Sequence, residues 1–151
     1  MSIDARLSEL NITLPDAPAP AANYVPYVRT GNLLFVSGQI AAGADGLIKG
    51  RLGHDMDTAA GAAAARACGL SLLAQARAAL GSLDRVARVV KLTGFVASTP
   101  DFTDQPEVIN GCSDLMVEVF GDRGRHARST VGVAELPLDA AVEVEAMFEV
   151  A

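Results

Sequence analysis

A long β-branched segment in the middle of the chain limits the folds that this sequence can adopt. RVARVVKLTGFVAS, residues 85–98, is rich in valine and long enough for one extended strand, so it predicts the central strand of a sheet. Apolar side chains alternate on both of its faces: Val90, Leu92 and Val96 on one, and Val89, Phe95 and Ala97 on the other. A sheet built on this strand therefore needs cover on both faces.

Two helix patterns flank the central strand. The first begins after Asp57, a residue that caps helices well, and runs through an alanine-rich segment to about Leu80, where Gly81 ends it. The second has Pro106 in its first turn and ends at Gly121. Each helix has one apolar side, so we expect both helices to pack against the sheet.

Four further strand patterns lie outside the helices. YVRTGNLLFVSGQI, residues 27–40, predicts a hairpin, and ARSTVGV, residues 127–133, and AVEVEAMFEV, residues 141–150, predict two strands joined by a turn at 136–139 and paired antiparallel. The order is therefore strand, strand, helix, strand, helix, strand, strand. It predicts an α+β fold, a mixed sheet with two helices on one face. The other face would be exposed in a monomer, and oligomerisation is its simplest cover.

The length of 151 residues predicts a single domain, 1–151. Four prolines in residues 15–26 disfavour helix, so we interpret residues 1–23 as an extended N-terminal arm on the surface. A net charge of -6 argues against nucleic acid as a partner. The sequence contains no signal peptide pattern and no apolar run long enough for a membrane span, so we expect a cytoplasmic protein.

The cysteines and histidines do not form a metal-binding pattern. Cys68 and Cys112 stand alone inside helix patterns, which predicts buried reduced thiols. His54 and His126 are far apart and lack companion ligands, so we predict no metal. A lone loop histidine is usually a surface residue, but His126 is also a candidate for a pH-sensitive donor in a cleft.

Arg128 opens a strand pattern whose neighbours are small. From the pattern alone, Arg128 and the glutamates of the last strand form a solvated strand face with cross-strand ion pairs. Alternation puts Arg128, Thr130 and Gly132 on one face. Contact between Arg128 and Glu143 within one subunit does not follow from the spacing, so a joint site could be built across subunits.

Three collinear motifs resemble one known family. GNLLFVSGQIA, VVKLTGFVASTPDF and RHARSTVGVAELPLDAAVEVEA are similar to the signatures of the reactive intermediate deaminase family, called Rid, YjgF or L-PSP, and cover residues 24–150. The resemblance implies a chorismate-mutase-like fold and a homotrimer whose sheets form a central barrel, with ligand clefts between subunits. It also implies hydrolysis of 2-imino or enamine acids to 2-oxo acids and ammonia, without a cofactor or a metal.

The resemblance assigns roles to individual residues. Arg128 stands at the arginine of the family's R-S-x-V motif and would hold the substrate carboxylate through two charge-assisted hydrogen bonds. Glu143 matches the first glutamate of the V-E-[IV]-E motif and would orient or deprotonate the attacking water. The residues that match the family's other cleft positions, and would bind substrate, are Tyr24, Ser37, Gly38, Asn110 and Thr130.

The chain departs from the family pattern beside the arginine. Thr130 replaces a frequent cysteine and His126 replaces the usual proline, which indicates a side branch of the family. Three alternatives to a general imine deaminase follow. The protein could be a specialised enamine deaminase, for example one acting on an aminomuconate, or a trimer that binds small carboxylates without catalysis. The third alternative is the ribonuclease of the family's old label, which the acidic charge disfavours.

Overall fold

A five-stranded mixed sheet with two long helices on one face makes up most of the fold. The computed structural model describes residues 1–151. The strands are β1 (Tyr27–Thr30), β2 (Leu33–Ile40), β3 (Ala42–Gly43), β4 (Gly46–Leu47), β5 (Val86–Ala97), β6 (Ala127–Val133) and β7 (Val142–Val150), and the helices are α1 (Ile3–Glu9), α2 (Thr58–Leu80) and α3 (Gln105–Phe120). The large sheet has the order β1-β2-β7-β5-β6, and β3 and β4 form a separate hairpin. The predicted α+β class with a mixed sheet is confirmed.

The helix ends follow the local sequence signals. The side chain of Asp57 accepts a hydrogen bond from the Ala60 amide at 2.8 Å, and Gly81 ends α2 in the left-handed conformation at φ 80°. Helix α3 has Pro106 in its first turn and ends at Gly121, as predicted. The two helices cross very closely, because a Cβ on Gly111 would overlap the Ala62 carbonyl group.

The predicted pairing of the last two strands is wrong. β6 pairs parallel with β5 at the edge of the sheet, whereas β7 lies between β2 and β5 and is antiparallel to both. The alternating apolar residues of β7, such as Val144 and Phe148, are fully buried, which suits a central strand. The connection between β6 and β7 spans residues 134–141 and is long enough to cross β5.

The alternation along β5 contains a bulge that sequence periodicity did not reveal. The register with β7 shifts between Val89 and Lys91. As a result Val89 lies opposite Phe148 and is 1% exposed, on the same helix-covered face as Leu92. The prediction that Val89 and Leu92 occupy opposite faces is therefore wrong.

The N-terminal arm is only partly extended. Helix α1 occupies residues 3–9, so the prediction of an extended arm over residues 1–23 is wrong there. The Ser2 side chain caps α1 by accepting a hydrogen bond from the Ala5 amide at 3.0 Å, and Ile3 and Leu7, one helical turn apart, are buried in the core. The proline-containing residues 12–20 carry no helix or strand, as predicted.

The sheet face opposite the helices has no cover. Val28, Phe35 and Val131 lie on this open face and are 53%, 36% and 46% exposed. None of the helices is long and apolar enough to cross a membrane. The exposed apolar surface of this sheet face is available for contact with another protein surface.

Candidate functional site

Arg128 is held by three neutral groups. It lies opposite Leu92 on β5, and the side chain therefore points toward the helix-covered face. Its Nη1 donates to the Asn110 Oδ1 at 2.8 Å and to the Ser113 Oγ at 3.2 Å, and its Nη2 donates to the Pro106 carbonyl at 3.3 Å. No carboxylate forms an ion pair with it. We call Arg128, Asn110 and Ser113 the anchor cluster.

His126 supports the anchor cluster through Ser113. Its Nδ1 lies 2.6 Å from the Gly124 carbonyl, which can only accept, so this nitrogen carries a proton. In the neutral ring the Nε2 then accepts from the Ser113 hydroxyl at 2.8 Å. Burial lowers the pKa of His126, and the Arg128 charge lowers it further, against the opposing effect of the Gly124 hydrogen bond. The ring is thus favoured in its neutral form.

Ser113 was not predicted as a site residue. It follows Asn110 by three positions on α3, so both side chains lie on the same helix face. This three-residue spacing from Asn110 was the sequence signal that could have identified Ser113. Thr130 lies on the same sheet face as Arg128, two residues further along β6, and its Oγ1 is buried without a hydrogen-bond partner.

Glu143 lies on the open face of the sheet. It pairs with Phe95 on β5 and with Ile40 on β2, and its half-buried carboxylate has neither a hydrogen-bond donor nor a cation beside it. Burial raises the pKa of Glu143, and the neighbouring Glu145 carboxylate raises it further. Glu143 therefore holds its proton more tightly than an exposed glutamate does.

Gly38 leaves room for the Glu143 side chain. A Cβ on Gly38 would lie 2.9 Å from the Glu143 Cδ, which is closer than real contacts allow. Gly38 and Ser37 occupy the irregular stretch of β2 where its pairing with β7 shifts between Val36 and Gln39. We call Glu143, Gly38 and Ser37 the acid cluster.

Ser37 also fixes the segment that carries Tyr24. Its amide donates to the Pro26 carbonyl at 2.9 Å, and its hydroxyl donates to the Val25 carbonyl at 2.8 Å. Tyr24 precedes these two residues and is 47% exposed, and its hydroxyl accepts from the Ala21 amide at 3.3 Å. Ser37 thus fastens the two residues that follow Tyr24 in sequence, and the Tyr24 ring stays open to solvent.

The anchor cluster and the acid cluster lie on opposite faces of the sheet. Arg128 shares the face of Leu92, whereas Glu143 shares the face of Phe95, three residues further along β5. Pairing stays regular between these two positions, so the faces differ. One chain therefore brings Arg128 together with Asn110, and Glu143 together with Gly38, but it does not bring Arg128 together with Glu143.

The surface clefts and the thiols lie outside both clusters. Two clefts of about 320 and 400 Å³ flank Arg51, and neither is lined by Arg128 or Glu143. Cys68 and Cys112 are free and buried, as predicted, and burial raises the pKa of Cys112 to about 12. No group of three or more His, Cys, Asp or Glu side chains is arranged to bind a metal.

Comparison with known proteins identifies the family. The sequence profile described as Endoribonuclease L-PSP matches residues 14–150, nearly the whole chain. The chain belongs to the Rid, or L-PSP, family. Among Rid-family relatives, Protein TCP17 of Trypanosoma cruzi is 54% identical over 149 residues, which cover 97% of this chain and 93% of that protein. A 2-iminobutanoate/2-iminopropanoate deaminase of Dermatophagoides farinae is 31% identical and covers 90% of this chain and 92% of that protein.

Solved structures of proteins similar in sequence show the same fold. Atu1372 of Agrobacterium tumefaciens, a protein of unknown function, superposes with a TM-score of 0.91 at 48% identity and covers 99% of this chain and 92% of its own. TdcF of E. coli, solved with bound serine, superposes with a TM-score of 0.66 at 27% identity. The match covers 89% of this chain and 94% of the TdcF chain.

Proposed function

We propose that this protein hydrolyses reactive 2-imino and enamine acids to 2-oxo acids and ammonia. The observation that carries the proposal is the unpaired charge of Arg128, whose guanidinium contacts only neutral acceptors. A planar guanidinium offers two parallel N–H groups, which match the two oxygens of a substrate carboxylate. The 31% identity to a 2-iminobutanoate/2-iminopropanoate deaminase supports the same substrate class.

Arg128 and its neighbours fix the position of the reacting carbon. In a 2-imino acid the C=N carbon is bonded directly to the carboxylate, so holding both carboxylate oxygens also fixes that carbon. Asn110 and Ser113 orient the guanidinium before substrate arrives. We infer that Thr130, on the same face and with an unpartnered hydroxyl, contacts the bound acid.

Glu143 supplies the proton transfers of the hydrolysis. It takes a proton from water as the water oxygen bonds to the C=N carbon, and it gives that proton to the imine nitrogen as the C=N π bond opens. It then takes the hydroxyl proton of the resulting carbinolamine and gives it to the amino nitrogen, the C–N bond breaks, and ammonia leaves as the C=O bond of the 2-oxo acid forms. A raised pKa suits a carboxylate that accepts and returns protons near neutral pH.

We infer that the working site combines two subunits of a homotrimer. Two observations support this assembly: Arg128 and Glu143 lie on opposite faces of the sheet, and the apolar sheet face with Phe35 is uncovered. In addition, neither of the two clefts beside Arg51 is lined by Arg128 or Glu143. In this assembly, the anchor cluster of one subunit meets the acid cluster and Tyr24 of the next. Each trimer would contain three such sites.

The activity is tested by trapping. An amino-acid oxidase generates 2-imino acids in the presence of semicarbazide, and the loss of trapped product measures competition by the protein. We expect the wild type to reduce trapping, Arg128→Ala to abolish this effect, and Arg88→Ala to keep it, since Arg88 is exposed and makes no side-chain hydrogen bond. Equal trapping with and without folded wild type, for every imine tested, would reject the proposal.

The two-subunit site is tested by complementation. A subunit with Arg128→Ala keeps its acid cluster, and one with Glu143→Gln keeps its anchor cluster. Random mixing of equal amounts after reversible denaturation should restore roughly a quarter of wild-type activity, because one neighbour pair in four combines the two intact clusters. Activity no greater than the sum of the two inactive preparations would contradict a site shared between subunits.

The same unpaired arginine also fits a second candidate function, binding of small carboxylates without turnover. The departures at Thr130 and His126 favour a specialised ligand, and an enamine acid such as an aminomuconate fits an arginine anchor equally well. Calorimetric titration with 2-oxo acids separates the two functions. Binding that survives Glu143→Gln, together with no turnover of any imine or enamine by wild type, would favour the binding role.

A further inference from the structure

Two buried amide side chains connect the N-terminal arm to strand β2. Gln75 lies on α2 with 1% exposure, and its Nε2 donates to the Pro18 carbonyl at 2.6 Å and to the Gln39 Oε1 at 3.4 Å. Gln39 is 7% exposed, and its Nε2 donates to the Ser37 carbonyl at 3.0 Å. A path of hydrogen bonds therefore runs from the arm through the core to the acid cluster.

The chemistry of this path fixes the direction of both amides. Its two ends, the carbonyls of Pro18 and Ser37, only accept, so an N–H group must point at each. Gln75 consequently uses both hydrogens of Nε2, and its Oε1 is left buried without a donor. Keeping an unpaired polar atom in a core is unfavourable. The hydrogen bonds of Gln75 lead only to the arm and to β2.

The arm is fastened again on the other side of Tyr24. Ser37 binds the carbonyls of Val25 and Pro26, while Gln75 binds the carbonyl of Pro18. Tyr24 lies between these two attachments. Both attachments lead back to the irregular stretch of β2 that includes Gly38 and adjoins Glu143.

We propose that Gln75 and Gln39 are positioning residues, which hold Tyr24 and the Ser37–Gly38 stretch in fixed relation to Glu143. Neither amide touches substrate, and both act through the backbone of the arm and of β2. The inference rests on the proposed function, because Tyr24 and the acid cluster matter for catalysis only if the protein is a deaminase.

The experiment replaces each glutamine with methionine, which removes the amide group but keeps a side chain of similar length and shape. Gln75→Met and Gln39→Met are compared with wild type and with Gln105→Met, a matched control whose amide bonds only Ser98 and Phe102. Hydrogen exchange followed by mass spectrometry measures protection of residues 18–26, which rests on the hydrogen-bonded amides of Ala21 and Tyr24, and of the Ser37 amide, with peptides from α2 as an internal reference. Imine trapping kinetics give kcat and KM for the same preparations.

We expect Gln75→Met to speed exchange of residues 18–26 about tenfold or more while α2 exchanges as in wild type. We expect kcat/KM to fall about tenfold, with most of the loss in kcat, and Gln105→Met to change it less than about twofold. We expect Gln39→Met to speed exchange of the Ser37 amide and to lower kcat/KM by a similar factor. If Gln75→Met does not fold, the Gln39→Met variant alone tests the proposal.

Unchanged exchange of residues 18–26 in both folded variants would overturn the proposal. So would faster exchange of the arm with wild-type kcat and KM. A wild type that deaminates no imine refutes the proposed function itself. In that case the exchange data alone decide whether Gln75 and Gln39 fasten the arm, so the two failures are distinguishable.

Discussion

Gly38→Ala tests whether the space beside Glu143 is needed for catalysis. An added Cβ would lie 2.9 Å from the Glu143 Cδ, and ordinary carbon contacts need about 3.5–4.0 Å, so the carboxylate must move by about 0.6–1.1 Å. A displacement of about 1 Å in a catalytic group costs roughly a hundredfold in rate. We therefore expect kcat/KM for imine hydrolysis to fall about a hundredfold.

Stability should change little in the same variant. The contacted atoms are the far end of a flexible, half-buried side chain that can turn toward solvent, and the backbone of Gly38 does not adopt a positive φ. The matched control is Gly43→Ala on β3, where the added Cβ lies an ordinary 3.8 Å from the Ile48 Cδ1. Imine trapping and thermal unfolding of both variants are the assays.

A double variant shows whether the loss acts through Glu143. If the added methyl group works by displacing the carboxylate, Gly38→Ala combined with Glu143→Gln should be no less active than Glu143→Gln alone. Losses that multiply would mean that the methyl group blocks substrate directly. Full activity of folded Gly38→Ala would refute the role of this contact, and an equal loss in Gly43→Ala would refute its specificity.

Three further variants test the anchor, the acid and the helix crossing. Arg128→Lys keeps the charge but loses the paired N–H geometry, so we expect kcat/KM to fall about 10- to 100-fold, as for the loss of one charge-assisted hydrogen bond; wild-type kinetics would contradict this. The pKa of Glu143 is higher in the folded protein than in the unfolded chain. The free energy of unfolding therefore falls as the pH rises from the unfolded-state pKa to the folded-state pKa, and it stays lower at higher pH. Glu143→Gln should therefore melt higher than wild type at pH 8, with the gain gone below about pH 4, and a gain that persists in acid would contradict the burial argument. Gly111→Ala should lower the melting temperature, because the added Cβ would overlap the Ala62 carbonyl. This overlap costs about 1–3 kcal/mol or more, which exceeds the gain of about 1 kcal/mol in helix propensity. A higher melting temperature would contradict this expectation.

Helices were more predictable from the sequence than strand pairing, and the reason is physical. Asp57, Gly81, Pro106 and Gly121 determine helix ends through interactions within a few residues, and the structure confirms all four positions. β6 pairs with β5 and not with β7, because β7 takes the central position between β2 and β5. Which strand becomes central depends on contacts between segments that are distant in sequence. No pattern within the β6 sequence reports these contacts.

The site was predictable only as far as the family motifs reach. The third motif predicted Arg128 as a site residue, the wider family resemblance predicted Asn110, and the structure brings these two side chains within hydrogen-bond distance. Ser113 and Gln75 lie outside those motifs, and their roles come from contacts across 15 and 57 residues of chain. Polar contacts over such separations require the folded arrangement, because single-sequence periodicity describes only one element at a time.

The separation of Arg128 and Glu143 leaves the guanidinium without an ion pair and the pKa of the carboxyl group raised, as the proposed hydrolysis requires. Side by side in one subunit, a guanidinium and a half-buried carboxylate would form an ion pair, which occupies the anchor and lowers the pKa of the acid. The sheet prevents this by placing the two residues on opposite faces, so Arg128 contacts neutral groups and burial keeps the pKa of Glu143 raised. In the proposed reaction, Arg128 is then free to bind a substrate carboxylate, and Glu143 is free to accept a proton from water. If neighbouring subunits join the two clusters, the cleft must keep them far enough apart for a 2-imino acid and a water molecule, and the substrate becomes the link between them.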